Sequence, residues 1–379
     1  MDRRKFISAT IVATAAGAAT AVAGDRILGV AAAGATQNIP EKAAAADEPS
    51  KAERNGFSKM RTITMEEHYF SPAFIAGPGK AVKQSVNPKI VRTFGLAYDL
   101  GPNRIALMDE AGIDVQILSH APGIEQVEAE EQLTLARETN DYLRECVAKY
   151  PTRLAGFTTL PTASPDKAAL ELERMVTKHG FKGAIINGHT RGRYLDDKFF
   201  WPMLEGAQSL NAPIYLHPTP PPKAITDVYY AGFSPEVTNI FSTAGWGWHI
   251  ETAVHVVRMA LGGVFDQFPK LQIVVGHMGE ALPFMLPRMD KAMPLQVTGI
   301  KRPISDYLRE NVYYTFSGFN FSQNFLDLML QVGVDRIMFS ADHPYAPMVE
   351  ARAFLDQLPI SAADRERIAH GNAERLFKM

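Results

Sequence analysis

Short apolar runs recur along the chain from residue 62 onward, each bounded by turn residues. They are Thr62-Ile63-Thr64-Met65, Val115-Gln116-Ile117-Leu118, Ala155-Gly156-Phe157-Thr158, Gly183-Ala184-Ile185-Ile186, Pro213-Ile214-Tyr215-Leu216, Leu271-Gln272-Ile273-Val274-Val275, Val312-Tyr313-Tyr314-Thr315 and Arg336-Ile337-Met338-Phe339. Longer segments of helical character lie between several of them, at residues 130–149, 166–179, 201–210 and 252–268. Runs this short and this apolar read as buried strands. Strands alternating with helices imply a parallel sheet with helical crossovers. Eight repeats favour a closed (β/α)8 TIM barrel over an open sheet. This α/β fold is expected to form a single domain over residues 61–379.

The first 60 residues do not share this pattern. The chain opens Met1-Asp2-Arg3-Arg4-Lys5-Phe6-Ile7, continues with a weakly apolar run from Ile7 to Val22, and reaches Ala21-Val22-Ala23-Gly24. A charged start, an apolar stretch and a small-x-small site form the layout of a signal peptide. The paired arginines resemble a twin-arginine signal, so residues 1–23 predict export to the periplasm in the folded state. The apolar run is shorter than the roughly 20 residues needed to span a bilayer, so no stable membrane span is expected after processing. Residues 24–60 lack a sustained apolar period and read as a flexible leader.

The predicted strand ends carry the chemistry. Glu66-Glu67-His68 follow the first, Ser119-His120 the second, Asn187-Gly188-His189 the fourth, His217 the fifth, Gly276-His277 the sixth and Ser340-Ala341-Asp342-His343 the eighth. Thus six of the ten histidines sit just past strands. In a barrel these ends share one face, where active sites are built. Glu66, His68, His217 and Asp342 offer two oxygen and two nitrogen donors, a set suited to one Zn²⁺ or Mn²⁺ ion. Glu66 and His68 are two apart on an extended segment, so both can face the mouth. His277 has two readings, a further ligand or a catalytic group beside Asp342, and Glu280 is placed to orient it. Arg288 reads either as a fork for a substrate carboxylate or as a surface arginine. His120, His189 and His343 either line the pocket or stabilise their loops. Trp246 and Trp248 supply an aromatic wall, an oligomer contact or core packing.

Composition narrows the partners. The formal net charge is -2 with 21% charged residues, and no basic arm or patch points to nucleic acid. A small molecule is the expected partner. The single cysteine, Cys146, cannot form an internal disulfide and reads as a buried thiol on a helix. No glycine-rich dinucleotide fingerprint is evident.

Four motifs occur in order: Met65-Glu66-Glu67-His68, Leu216-His217-Pro218, Gly276-His277-Met278-Gly279-Glu280 and Ser340-Ala341-Asp342-His343-Pro344. Together they resemble the metal-dependent decarboxylase branch of the amidohydrolase superfamily, which includes γ-resorcylate and 2,3-dihydroxybenzoate decarboxylases. Met108-Asp109-Glu110-Ala111-Gly112-Ile113-Asp114, the stretch from Glu251 through Val264-Phe265-Asp266 to Pro287-Arg288-Met289-Asp290, and the closing Gly371-Asn372-Ala373-Glu374-Arg375-Leu376-Phe377 extend the likeness. It spans nearly all of residues 61–379. The resemblance implies Glu66, His68, His217 and Asp342 as metal ligands, with Asp342, His277 and Glu280 catalytic. It also implies Arg288 at the substrate and a homo-oligomer, a dimer or tetramer. Thr219-Pro220-Pro221-Pro222 follow the strand-five histidine where the family commonly has arginine, and His343 stands where tyrosine is frequent. The implied reaction is loss of CO₂ from an ortho-hydroxybenzoate-like acid after ring protonation. A hydrolase of a lactone, ester or amide would use almost the same ligands, and a non-catalytic binding protein would not need both His277 and Asp342.

Overall fold

The computed structural model describes residues 56–379. Residues 1–23 and most of the predicted leader therefore lie outside the described residues. The end of that leader is part of the domain, unlike the expectation. Ser58 donates from its amide and hydroxyl to Asp356, and Arg352 donates to the Ser58 carbonyl at 2.7 Å. Arg352 is buried, so this anchor ties the chain before β1 onto the Met348–Gln357 helix.

Nine strand segments occupy the eight expected positions. They are β1 (Ile63–Tyr69), β2 (Val115–His120), β3 (Leu154–Gly156), β4 (Thr158–Thr159), β5 (Ala184–Asn187), β6 (Ile214–His217), β7 (Ile273–Val275), β8 (Val312–Thr315) and β9 (Ile337–Met338). Hydrogen-bonded order follows chain order, β1-β2-β3 and then β4 through β9. Every pairing is parallel. The third expected strand is split at Phe157. Phe157 N donates to Leu118 O on the β2 side, while Thr158 N donates to Gly183 O on the β5 side. One short segment thus hands the ladder from one neighbour to the next.

Between β9 and β1 the closure is made by a side chain. The Glu67 carboxylate accepts from the amides of Ala341 at 3.0 Å and His343 at 3.3 Å. His68 N donates to His343 O at 2.6 Å. Within the ring, inward positions stack as Ile63, Met65, Ile117, Phe157, Ile185, Tyr215, Val274, Tyr313 and Met338, with Phe377 plugging the layer. Their neighbours in sequence face outward into a larger core shared with the helices, as Leu118, Ile186, Leu216 and Val275 do. This two-residue alternation is what a strand dictates, and it fills the barrel with side chains.

The helices at Ala129–Lys149 and Trp201–Leu210 match their expected spans. Cys146 is buried on the first of them. The segment expected at 166–179 is helical from Pro165 to Glu173 and then widens into a π turn. The one expected at 252–268 instead begins at Gly247 and ends at Leu261. Gly262-Gly263 break it, with Gly263 in the left-handed region at φ 75°. No helix of the described residues is long and apolar enough to cross a membrane.

Gly183 opens β5 at φ 136°, and a Cβ there would meet Pro213 O at 2.2 Å. That carbonyl pairs with Ala184 N, so it cannot retreat without breaking the β5–β6 ladder. Gly183→Ala is expected to cost about 2 kcal/mol or more, read as a lowered midpoint in thermal unfolding. An unchanged midpoint would show that this approach does not constrain the sheet.

Candidate metal centre

The regular alternation of β1 would turn Glu67 inward after Ile63 and Met65. A bulge prevents this. The register slips between Met65, opposite Ile117, and Glu67, opposite Leu118. Glu66 is the extra residue, at φ 68°. Glu66 and His68 therefore both reach the mouth, while Glu67 turns to the β9 side. The spacing expectation rested on plain alternation, whereas a bulge at Glu66 sets how these two side chains point.

Glu66 is held from one side. Its Oε2 accepts from the hydroxyls of Tyr215 and Ser317. Its Oε1 has no hydrogen-bond partner and is buried. That free oxygen lies 3.3 Å from His217 Nε2. Opposite, His68 Nε2 is 3.4 Å from Asp342 Oδ1, and both atoms are buried without a hydrogen bond. His217 Nδ1 is 2.8 Å from Pro218 O, which requires the proton on Nδ1 and leaves the Nε2 lone pair facing the cluster. Burial lowers both His68 and His217 far below the usual histidine range, so both rings are neutral donors. Two ligands about 2.1 Å from one ion stand about 3.0–3.4 Å apart at tetrahedral or octahedral angles. Glu66, His68 and His217 offer donor atoms that all lie within 4.8 Å of one another, and with Asp342 Oδ1 against His68 Nε2 the cluster has the chemistry of a divalent cation site.

The electrostatics agree. Burial raises Glu66, and burial with the neighbouring Glu66 charge raises Asp342. Two carboxylates withdrawn from water this way need a cation between them to stay ionised. His277 stands beside the set, not within it. Its Nε2 is 3.8 Å from Glu66 Oε1 and 4.0 Å from Asp342 Oδ2. Its Nδ1 is 2.6 Å from Glu280 Oε1. Burial lowers His277, but Glu280, Glu66 and Asp342 outweigh it and raise it to about 10. Burial would raise Glu280, yet His277 and His249 hold it down at about 2. The geometry favours His277 as a proton-holding group facing the free Oδ2 of Asp342.

His217, His277 and Asp342 line a cavity of about 290 Å³ whose walls include Trp248, His249, Phe319, Phe321 and Tyr345. Trp248 is the cavity wall, while Trp246 is half exposed.

Other expected residues lie elsewhere. His120 is buried behind β2, with Nδ1 2.7 Å from Ala121 O and Nε2 accepting from Ser71 N. Phe74 packs edge-on against it. It steadies a loop and does not line the cavity. His189 does the same, accepting from Gly192 N at Nδ1 and reaching Pro220 O with Nε2. His343 lines a neighbouring cavity with Lys89 and Arg92. Arg288 is exposed on the Leu282–Ala292 helix and is not part of the cavity lining of its own chain.

Three residues escaped the sequence reading: Tyr215, Ser317 and His249. Tyr215 precedes His217 by two and shares its inward face, so parity alone pointed to it. Ser317 follows β8, the one late strand end without a histidine. His249 is in the first turn of the Gly247–Leu261 helix, far from any strand end, and no local signal marks it.

Gly276 makes room for Glu66. A Cβ there would lie 2.6 Å from Glu66 Oε2 and 2.9 Å from Ser317 Oγ. Gly276→Ala is expected to weaken metal binding about 10–100-fold with the fold retained, measured by competition titration with a chelating dye. Unchanged affinity would remove the glycine from the site. Burial lowers His120 to about 4, below its unfolded value. The unfolded chain therefore takes up this proton first as pH falls, and the stability that neutral His120 contributes drains away between pH 6.5 and 4. The stability gap between wild type and His120→Gln should narrow over that window, by at most about 1.4 kcal/mol per pH unit. A constant gap in pH-dependent urea melts would contradict it.

Comparison with known proteins places this geometry. The family described as Amidohydrolase matches residues 98–379. The γ-resorcylate decarboxylase of Polaromonas sp. strain JS666 is 37% identical over 331 residues, covering 84% of this chain and 98% of the relative. The crystal structure of a dihydroxybenzoic acid decarboxylase from the same organism, with manganese and the inhibitor 2-nitroresorcinol, superposes with a TM-score of 0.78 at 35% identity, covering 84% and 97%. The 5-carboxyvanillate decarboxylase of Sphingomonas paucimobilis gives a TM-score of 0.76 at 33% identity, covering 84% and 99%. On the fold, the donor set and these relatives, the chain belongs to the amidohydrolase family, in its branch of aromatic-acid decarboxylases.

Proposed function

We propose that this protein is a metal-dependent, non-oxidative decarboxylase of a small aromatic acid with an ortho-hydroxyl group. The observation that carries the reading is the buried donor cluster of Glu66, His68 and His217, with Asp342 against His68 and the His277–Glu280 pair beside them. Those four residues would hold one divalent ion. When bound, it supplies a positive charge that orients the carboxylate and ortho oxygen and stabilises charge developing there. Manganese is favoured by the metal in the Polaromonas relative, and zinc suits the same donors.

The chain's own residues do the rest. Trp248, Phe319 and Tyr345 line the cavity with aromatic surface suited to a flat ring. Asp342 has one oxygen toward His68 and the other toward His277, so the second oxygen is free to carry a proton. Protonation of the carboxylate-bearing ring carbon from Asp342 interrupts aromaticity, and the C–C bond pair returns to the ring as CO₂ leaves. The balance is one proton taken up per carboxylate lost. His277, held by Glu280, keeps a proton next to Asp342 and restores it. No electron acceptor is needed.

The reading extends to the cell and the assembly. The twin-arginine-like opening supports export of a folded, metal-loaded enzyme to the periplasm. Exposed Phe284, Met285 and Val297, with Arg288 on the same outer face, support a homo-oligomer.

The test is CO₂ release from a panel of ortho-hydroxybenzoates by the manganese-loaded protein, with and without chelator. Chelator-sensitive release is expected. A folded, metal-loaded protein that releases none, but cleaves lactones or esters, would overturn the reading. Asp342→Asn should lower kcat by about 10³-fold or more. A metal-loaded Asn variant with full turnover would dismiss Asp342 as the proton donor.

A further inference from the structure

Glu280 lies between two imidazoles, and the proposed reaction uses only one. Its Oε1 is 2.6 Å from His277 Nδ1, and its Oε2 is 2.6 Å from His249 Nδ1. Glu280 is almost fully buried, so neither oxygen has water to fall back on. His249 comes from a different element, the first turn of the Gly247–Leu261 helix, and its ring packs edge-on against His277 with centroids 4.8 Å apart. It also lines the cavity.

The far side of the His249 ring explains why this contact persists. Nε2 is 3.0 Å from the indole N–H of Trp248 and 3.0 Å from Ala244 O. A neutral ring accepts from Trp248 at Nε2, and a charged ring donates from Nε2 to Ala244. In both states Nδ1 keeps its proton and gives it to Glu280. His249 is therefore a donor to Glu280 whatever its charge.

We propose that His249 is a positioning residue for the reaction. By occupying one oxygen of Glu280 it fixes the carboxylate plane, which in turn aims His277 Nε2 at the Glu66–Asp342 side of the cavity. Without it, a buried oxygen is left unsatisfied, and Glu280 tilts to share its remaining donor. His277 then swings, and proton delivery suffers while metal binding does not, because His249 is not among the four donors. Such supporting partners are worth about 10–100-fold in activity. The proposal rests on the decarboxylase reading for its kinetic consequence but not for its geometry.

Two substitutions separate positioning from bulk. His249→Phe keeps a ring without a donor, and His249→Gln restores an N–H toward Glu280. The Phe variant is expected to lose about 10–100-fold in kcat with KM and metal content little changed. The Gln variant should recover most of the loss. Independently of turnover, proton NMR of the manganese-free protein should show two downfield Nδ1–H signals from the Glu280 contacts, with one absent in the Phe variant and the other shifted. Wild-type kcat in the Phe variant, or equal losses in Phe and Gln, would overturn the proposal. So would two metal ions per wild-type chain with one lost in Phe, because His249, His277 and Glu280 would then be a second metal site. If wild type releases no CO₂ from any benzoate, the reaction reading fails. The NMR result then decides alone: one signal lost sustains the geometry, and both retained refutes it.

Discussion

Two carboxylates buried at the mouth of the barrel are the constraint that the rest of the site serves. Glu66 and Asp342 are taken out of water, which raises both, and the Glu66 charge raises Asp342 further. Burying like charges in this way is costly unless a cation and hydrogen bonds compensate. The structure arranges both kinds of compensation. Tyr215 and Ser317 take one oxygen of Glu66. The remaining oxygens, with His68 and His217, make a cation-shaped gap. The barrel is what lets donors from β1, β6 and the segment after β9, three stretches far apart in sequence, converge.

The backbone shows how far the fold goes to hold them. Glu66, His277, Glu280, Ser317 and Asp342 all have positive φ. Each such non-glycine residue costs about 1 kcal/mol or more, so five together approach the lower end of a domain's net stability of about 5–15 kcal/mol. They persist because neighbouring contacts fix them. Glu67 illustrates this: its carboxylate grips the amides on both sides of Asp342. Buried Arg104 and Gln116 hold it from behind, through Arg104 to Gln116 at 2.9 Å and Gln116 to Glu67 at 3.0 Å. One side chain thus helps close the barrel and sets the loop that carries Asp342.

The chemistry follows from what surrounds the donors. Aromatic walls suit a flat ring, and His277, paired with Glu280, stands 4.0 Å from Asp342 Oδ2. A hydrolytic water would need room and a base at the same place. The relatives named as aromatic-acid decarboxylases favour protonation of carbon over activation of water.

Much of this was legible in the chain. Short apolar runs alternating with helical stretches, and their number, pointed to the barrel, because buried parallel strands are apolar on both faces and need helical crossovers. Histidines and carboxylates just past those runs identified Glu66, His68, His217, His277 and Asp342, because one end of every barrel strand opens on a common rim. Tertiary structure decided the rest. The bulge at Glu66, the split at Phe157 and the break at Gly262-Gly263 depend on how neighbours pack, not on local pattern. His120, His189 and His343 lie at strand ends as His68, His217 and His277 do, yet loop carbonyls and amides hold the first two, and the third turns into a different cavity. His249 has no strand-end signal and reaches Glu280 only because its helix folds back over the rim. Strand-end chemistry is written in sequence because it depends on a local period. Which of those side chains meet depends on distances between elements far apart in the chain, and only the closed barrel sets them.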